Sequence, residues 1–362
     1  MKRDDAGDGR RGLRATLSPE LLEVVRDRYG LDRVNSAVDL GGSSNLNVLI
    51  QDGNLRYVVR VYRPYVTEAR LRDLQRVRRE LAAGGVPSPR VLSTRDGQPW
   101  ITLDSRLVEV EYYVGHDANM NSWKRLAMAL PMLGRIHTIL QDVEIGLDGK
   151  RPLFANHIEP QDVLDKTFAG TQRIRGWASS PAERYLADAA EELAHLVVAA
   201  ECDLVLTLPR QLIHGDFWDN NVLFRDGRVV LVTDFDFMGE RARIDDVALT
   251  LYFTSLKYTE TAASDAHLWR LRRLVDAYDS GLANRLSRAE RAALPLAVAR
   301  QPLWSIGGWV GLLDDEQSAR QHAIGSVWEV GWALGITGEL DRWQTALRRS
   351  ADTPSVVGKA AV

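Results

Sequence analysis

The chain has 362 residues, of which 45% are hydrophobic and 26% charged, and its formal net charge is −3. This length is enough for two lobes with separate cores. The small net charge, without any basic block, gives no electrostatic basis for binding nucleic acid or a membrane surface, and we expect neither partner. The single cysteine, Cys202, excludes an internal disulfide framework. Because no segment is long and apolar enough to span a bilayer, we expect a cytoplasmic protein.

The first elements predicted from the N-terminus are a helix and a β-hairpin. Residues 1–17 are charged and lack an apolar core, so we expect a disordered leader and not a signal peptide. Ser18 can cap a helix and Pro19 suits its first turn, which predicts a helix that ends near Gly30. Residues 38–50 predict a turn followed by an alternating strand, with a return strand after Gln51-Asp-Gly-Asn.

A small-residue turn and a cation on a strand are candidate nucleotide contacts. The turn Gly41-Gly-Ser-Ser-Asn45 can direct backbone N–H groups and hydroxyls at phosphates, although such clusters are most often simple turns. Arg60 follows on the return strand, where kinases carry a lysine that pairs with the α- and β-phosphates. A guanidinium can bind phosphate with two hydrogen bonds. The candidate nucleotide ligands here are therefore Ser43, Ser44, Asn45 and Arg60.

Residues 67–83 predict an amphipathic helix next to this strand. In the kinase arrangement, a glutamate on this helix orients the strand cation. The best-aligned position of the helix holds Gln75, so the partner of Arg60 is left open. The acidic residues of the helix are the candidates: Glu68, Asp73 and Glu80.

A change from strands to helices divides the chain near Gly115. Strands are predicted at 90–93, 100–103 and 107–115, and nearly every later element is helical. The backbone at the end of the last strand can bond an adenine edge, with Glu111 and Tyr113 as the candidates. The predicted regions are a nucleotide-binding lobe over 18–114, a catalytic and substrate-binding lobe over 115–351, and a loose tail over 352–362.

The second lobe is predicted to hold most of its residues in helices, at 122–141, 160–168, 181–200, 263–284, 288–312 and 319–334. His137 lies in the first of them, and we interpret it as a packed or capping histidine and not as a catalyst.

The motif that carries chemistry is Leu212-Ile-His-Gly-Asp-Phe-Trp-Asp-Asn-Asn-Val, followed by a short hairpin and Asp234. Phosphoryl transfer from a nucleotide needs a carboxylate that accepts the proton of the attacking hydroxyl, and oxygen ligands that hold Mg²⁺ against the phosphates. A loop and a hairpin can present Asp216, Asn221 and Asp234 at one point. The spacing follows the kinase catalytic loop and its metal-binding aspartate.

With these motifs in this order, the chain resembles the aminoglycoside phosphotransferase family of kinase-like enzymes, which includes homoserine, choline and macrolide kinases. The resemblance covers about residues 30–260 and implies an α+β, protein-kinase-like fold, with a small antiparallel sheet lobe and a larger helical lobe. It also implies roles for individual residues. These are Asp216 as the catalytic carboxylate, Asn221 and Asp234 as Mg²⁺ ligands, Arg60 on the phosphates of ATP or GTP, His214 and Asp246 as loop supports, and Asp236 as a further group near the metal.

The acceptor is the least determined part of the prediction. Six tryptophans lie between residues 269 and 343, and one or two of them could line a pocket. The acidic run 314–316 is balanced by nearby arginines, so a polycation is not favoured. Our first hypothesis is an ATP- or GTP-dependent phosphotransferase for an antibiotic hydroxyl (aminoglycoside, nucleoside or macrolide). The alternatives are a metabolic kinase for homoserine, a sugar or an amino alcohol, and a nucleotide-binding pseudokinase.

Overall fold

The computed structural model describes residues 14–42, 45–152, 157–258, 263–311, 313 and 315–349. Most of the predicted leader, the residues Ser43 and Ser44, and the predicted tail 352–362 lie outside these ranges. The small lobe consists, in chain order, of α1 (Pro19–Tyr29), β1 (Val34–Asp39), β2 (Leu46–Asp52), β3 (Leu55–Val61), α2 (Glu68–Ala83), β4 (Val91–Leu92), β5 (Ile101–Leu103) and β6 (Arg106–Tyr112).

The strands of the small lobe form one antiparallel sheet. Its order is β1-β2-β3-β6-β4, and β5 also pairs with β6. Helix α1 begins where the side chain of Ser18 accepts a hydrogen bond from Leu21 N, and it ends at Gly30 with a left-handed φ of 71°. The apolar side chains of α1 share a core with those of the sheet, and the hydroxyl of Tyr29 donates to Val108 O at 3.0 Å.

Helix α2 packs away from this sheet core. Its apolar residues Leu71, Leu74, Val77 and Leu81 belong to the larger hydrophobic core, together with side chains of the second lobe. Thr67 caps its first turn by accepting from Arg70 N at 3.1 Å. The helix therefore lies where the two lobes meet.

The large lobe is mostly helical. It consists of β7 (Ala118–Asn119), α3 (Trp123–Leu140), α4 (Leu147–Lys150), α5 (Val163–Gly176), α6 (Pro181–Val205), β8 (Arg210–Ile213), β9 (Val222–Arg225), β10 (Arg228–Val232), β11 (Gly239–Ala242), α7 (Ile244–Tyr258), α8 (Asp265–Gly281), α9 (Arg288–Arg300), α10 (Glu316–Gly338) and α11 (Leu340–Leu347). The α+β two-lobed fold predicted from the sequence is confirmed.

Several predicted helix limits differ from the structure. The helix predicted over 288–312 ends as an α-helix at Arg300, because Pro302 follows and cannot continue the backbone ladder. A π-helical segment, Ser305–Val310, comes after it. The helix predicted over 160–168 begins as a 3-10 turn and is α-helical only from Val163.

The passage between the lobes lies between β6 and β7. Strand β6 ends at Tyr112 in the first sheet, and β7 starts at Ala118 in a second sheet of order β10-β9-β7. The predicted lobe boundary after residue 114 stays a prediction, and it falls in this passage. Within the described residues, no helix combines the length and the apolar character that crossing a membrane requires.

Candidate active site

Two strand pairings bring the motif residues together. Strands β8 and β11 pair with Ile213 opposite Gly239, so the loop after β8 lies beside the loop before β11. Strands β9 and β10 form a hairpin with Val222 opposite Val232. Asn221 precedes this hairpin and Asp234 follows it closely, and Thr233 N donates to Asn221 O at 2.9 Å. The segment between the two predicted metal ligands thus folds back on itself.

Asp216 and Asn221 are in direct contact. The amide Nδ2 of Asn221 donates to the carboxylate Oδ2 and to the backbone carbonyl of Asp216, both at 2.9 Å. Both side chains are half-buried. The contact fixes the orientation of the Asp216 carboxylate while part of it faces solvent. A fixed, accessible carboxylate is what a proton acceptor for an incoming hydroxyl requires.

Asp246, at the start of α7, holds the backbone of the Asp216 loop. Asp246 accepts from His214 N and Gly215 N, both at 2.8 Å. Burial acts to raise the pKa of Asp246, but the hydrogen bonds from His137 and from Gly215 N outweigh it and leave that pKa below its usual value. Asp246 is therefore a carboxylate that orders the loop, as the resemblance implies.

The neutral ring of His214 connects the Asp216 loop to the loop that contains Asp234. Burial is the main cause of its lowered pKa. Its Nδ1 accepts from Asp216 N at 3.2 Å, and its Nε2 donates to Thr233 O at 3.0 Å. One neutral tautomer satisfies both contacts, so the ring supports the loop and carries no charge.

His137 extends this support into the helical lobe. The ring is fully buried, its Nε2 donates to Asp246 Oδ2 at 2.9 Å, and its Nδ1 lies 2.7 Å from the hydroxyl of Tyr278 on α8. The sequence interpretation of a packed histidine therefore missed its partner, which lies 109 residues away. Only the tertiary fold brings these residues together.

Arg60 is buried, and its guanidinium faces the loop that contains Asp234. Its Nη1 lies 3.0 Å from Asp234 Oδ1 and 3.2 Å from Asp236 Oδ1. Burial acts to lower the pKa of Arg60, but the carboxylates of Asp234 and Asp236 outweigh it and hold that pKa well above its usual range. Asp234 has a left-handed φ of 65°, a conformation that aspartate tolerates better than most residues and that occurs often at functional sites.

Asn45 does not present its side chain as a phosphate ligand. Its Nδ2 donates to Asp236 Oδ2 and its Oδ1 accepts from Arg63 N at 3.3 Å. Both oxygens of Asp236 thus accept from side chains of the small lobe. Asn45 lies in the small lobe and Asp236 in the large lobe. Because each of these buried polar groups has a hydrogen-bond partner in the other lobe, the pair links the two lobes.

The sequence predicts a strand end with free backbone groups at Glu111 and Tyr113, but both residues are paired within the sheet. The N–H of Tyr113 donates to Arg56 O at 3.1 Å, so this donor is already used within the sheet. Glu111 pairs with Val58 on one side and with Val91 on the other. Its carboxylate is buried, and burial raises its pKa to about 7, against the opposing effect of Arg78 and Arg60.

The donor set suits a hard cation. Asn221 and Asp234 offer an amide oxygen and a carboxylate at the two ends of the hairpin. Within the described residues, no cluster of three or more His, Cys, Asp or Glu side chains could enclose a metal. An ion held here needs phosphate oxygens and waters for its other positions, which is how proteins usually bind Mg²⁺ in kinase sites.

The surface beside the Asp216 loop is aromatic and cationic. Trp218, within the motif, packs on Phe253 of α7 with ring centroids 5.3 Å apart. Lys257 pairs with Asp219 at 3.0 Å and lies 5.9 Å above the Trp218 ring. Arg270 lies 5.5 Å above the ring of Trp123. Sequence reasoning missed this surface, although the position of Trp218 inside the motif is a signal that could have found it.

The tryptophans predicted as pocket candidates mostly pack against one another or against other aromatic rings. Trp328 stacks on Trp332, which in turn packs edge-on against Trp343. Trp304 packs edge-on against Trp309. The remaining member, Trp269, is largely exposed on α8. These contacts are those of helix packing.

The small antiparallel sheet over a helical lobe, with the Asp216 loop and the Asp234 loop side by side at their junction, defines a protein-kinase-like fold. The family model described as the phosphotransferase enzyme family (APH) matches residues 37–296. The chain belongs to this family.

A homoserine kinase from Beijerinckia indica subsp. indica is 27% identical over 217 residues, which cover 58% of this chain and 61% of that protein. The match therefore spans less than two thirds of that relative. A microcompartment-associated aminopropanol kinase has a similar structure, with a TM-score of 0.64 at 20% identity over 91% of this chain and 99% of the other. An amicoumacin kinase in complex with AMP-PNP and Ca²⁺ gives a TM-score of 0.63 at 15% identity over 87% and 93%. At these identities the structures indicate the fold alone.

Proposed function

We propose that the protein is an ATP-dependent O-phosphotransferase that moves the γ-phosphate to a hydroxyl of a small metabolite. The observation that carries this proposal is the contact of Asp216 with Asn221 at 2.9 Å beside the Asp234–Arg60 pair at 3.0 Å. A proton acceptor, oxygen ligands and a phosphate cation are the parts that phosphoryl transfer requires. Membership of the phosphotransferase enzyme family supports the same reaction class.

Asp216 accepts the proton of the acceptor hydroxyl as its oxygen attacks the γ-phosphorus. Asn221 holds the Asp216 carboxylate in one orientation, and its amide oxygen, with Asp234, serves as metal ligand. Arg60 binds the phosphates of the nucleotide. A bound Mg²⁺ ion offsets the negative charge of the β- and γ-phosphates. The similar amicoumacin kinase structure with AMP-PNP supports an adenine nucleotide as donor.

A metabolic acceptor is better supported than an antibiotic. The homoserine kinase similarity and the aminopropanol kinase structure favour an amino alcohol. The described surface next to the Asp216 loop carries Lys257 and Arg270 on its aromatic rings. Lys257 is paired with Asp219, but Arg270 adds positive charge that disfavours a polycationic aminoglycoside and favours a carboxylate like that of homoserine. We therefore place the metabolic amino-alcohol kinase before the antibiotic kinase.

The variant Asp216→Ala tests the reaction. It should lower phosphate transfer by on the order of 10³-fold, since a general base contributes about 10²–10⁴-fold. Thermal stabilisation by ATP and Mg²⁺ should persist, because the proposed nucleotide contacts are unchanged. Asp203→Ala, at an exposed position near the end of α6, is the control and should retain full activity. Near wild-type turnover in Asp216→Ala would refute the mechanism.

A nucleotide-consumption screen tests the acceptor. We expect ATP turnover with homoserine or a small amino alcohol, and little with aminoglycosides. Turnover restricted to antibiotics would favour the antibiotic kinase. Nucleotide binding without turnover across the whole panel would favour the pseudokinase.

A further inference from the structure

Arg60 needs a counter-charge that the reaction does not remove. The residue is 5% exposed, and its Nη1 is shared between Asp234 and Asp236. Under the proposed function, Asp234 also binds the metal. Asp236 keeps one oxygen on Nη1 of Arg60 and its other oxygen on Asn45, so neither carboxylate hydrogen-bonds Nε of Arg60. A buried guanidinium whose carboxylate partner turns to a metal ion is costly unless another negative group remains close.

Helix α2, where a kinase would carry this partner, does not provide it. Its three acidic residues point elsewhere. Glu68 is exposed and lies 3.9 Å from Arg72. Asp73 accepts from Gly146 N and Gly149 N, both at 3.2 Å. Glu80 is exposed to solvent. The polar side chains that α2 buries are instead Arg70, Gln75 and Arg78, and none of them is acidic.

A third carboxylate near Arg60 comes from the neighbouring strand. Oε1 of Glu111 on β6 lies 4.0 Å from Nε of Arg60. This Nε is buried and has no hydrogen-bond partner among the described residues. The same oxygen accepts from Nη1 of Arg78 at 3.1 Å. One carboxylate oxygen of Glu111 therefore lies between the strand cation and the helix cation.

Arg78 connects this carboxylate to α2. Its Nη1 also donates to Glu109 at 2.7 Å, and its Nη2 donates to the hydroxyl of Tyr62 at 2.8 Å. Glu109 in turn accepts from Gln75 at 2.9 Å. Relative to the kinase pattern, the cation Arg60 stays on strand β3, but the anion that faces it lies on strand β6, and helix α2 supplies a second cation.

We propose that Glu111 is the positioning residue for Arg60, held by Arg78 of α2, and that it sets the affinity for the nucleotide phosphates. This proposal rests on the proposed function. Glu111 acts by holding the guanidinium of Arg60 in place when Asp234 is engaged elsewhere, which is a contribution to binding and not to the chemical step.

The test compares Glu111→Gln with Glu109→Gln. Both changes keep the side-chain shape and remove one buried carboxylate that pairs with Arg78, but the partners of Glu109 are Arg78, Tyr62 and Gln75. At pH 8, above the pKa of about 7 of Glu111, this carboxylate is largely ionised. We expect Glu111→Gln to raise the KM for ATP and the Kd for Mg²⁺·AMP-PNP at this pH by on the order of tenfold, with kcat within about threefold. Glu109→Gln should lower the melting temperature and keep the nucleotide KM within about twofold.

A double-mutant cycle with Arg60→Met adds a direct readout of coupling. In the Arg60→Met background, Glu111→Gln should add almost nothing to the loss of affinity. Glu111→Asp keeps the charge but moves it away from Arg60, so it should raise the KM for ATP by about threefold. This variant replaces Glu111→Gln in the test if the latter does not fold. Equal KM values in wild type and either Glu111 variant, or full additivity in the cycle, would overturn the proposal. Direct nucleotide binding separates this failure from that of the proposed function, since a wild-type protein that binds no nucleotide contradicts the latter.

Discussion

Gly215→Ala tests whether the Asp216 loop depends on close contact with the Asp234 loop. Gly215 has φ +83°, and a Cβ at this position would lie 2.6 Å from the carbonyl carbon of Phe237. A left-handed φ costs an L-residue about 1–2 kcal/mol, and overpacking costs about 1–3 kcal/mol more. We therefore expect a loss of about 2–5 kcal/mol in the free energy of unfolding. The chain must also move away from Phe237, which displaces the adjacent Asp216.

Urea unfolding and steady-state kinetics measure the two effects separately. A displacement of about 1 Å at a reacting group can cost on the order of 10²-fold in rate. Gly227→Ala is the matched control, because Gly227 has φ +71° and a methyl group added there would meet no other atom within 4 Å. It shares the backbone strain and lacks the clash. If Gly215→Ala lost no more stability than Gly227→Ala and kept wild-type turnover, the close contact would have no role.

Two further predictions concern the aspartates at the start of α7. Burial is the main cause that raises the pKa of Asp245 to about 7, so between pH 4 and 7 the folded state retains a proton that the unfolded state has lost. The free energy of unfolding of the wild type, taken relative to that of Asp245→Asn, should then fall by on the order of 4 kcal/mol as the pH rises through this window. If the unfolding free energies of the two proteins changed in parallel with pH, the prediction would be wrong. Asp246→Asn should lower kcat at least tenfold and unfolding stability by about 2–4 kcal/mol, because one amide cannot replace a carboxylate that accepts from His137 and two backbone N–H groups. Circular dichroism melts and transfer kinetics measure this, and an unchanged kcat would show that the loop orders itself without Asp246.

The parts of the site that sequence could predict are those set by short spacing. Asp216 and Asn221 lie five residues apart in one loop, and a two-stranded hairpin returns the chain to Asp234, so the convergence follows from local rules. The same holds for α1, whose Ser18 cap and Gly30 end are where the sequence predicts them.

The partners of Arg60 and Asp246 depended on contacts between distant segments. Asp236 lies 176 residues from Arg60, and His137 lies 109 residues from Asp246. No spacing rule connects such pairs. The partner of Arg60 was left open, with the acidic residues of α2 as candidates, and these did not include Glu111, which comes near Arg60 only through the sheet.

The segment Asp234–Met238 is bonded to the small lobe at several points. From the small lobe it is held by Asn45, by Arg60 and by Arg70, whose Nη2 donates to the carbonyls of residues 236 and 238, both at 2.7 Å. From the large lobe, Thr233 N donates to Asn221 O and Thr233 O accepts from His214, so the residue before Asp234 is held as well. A rotation of the small lobe would therefore act on this segment from one side while the large lobe held it from the other. Asp234, one of the two predicted metal ligands, lies where the two lobes are joined.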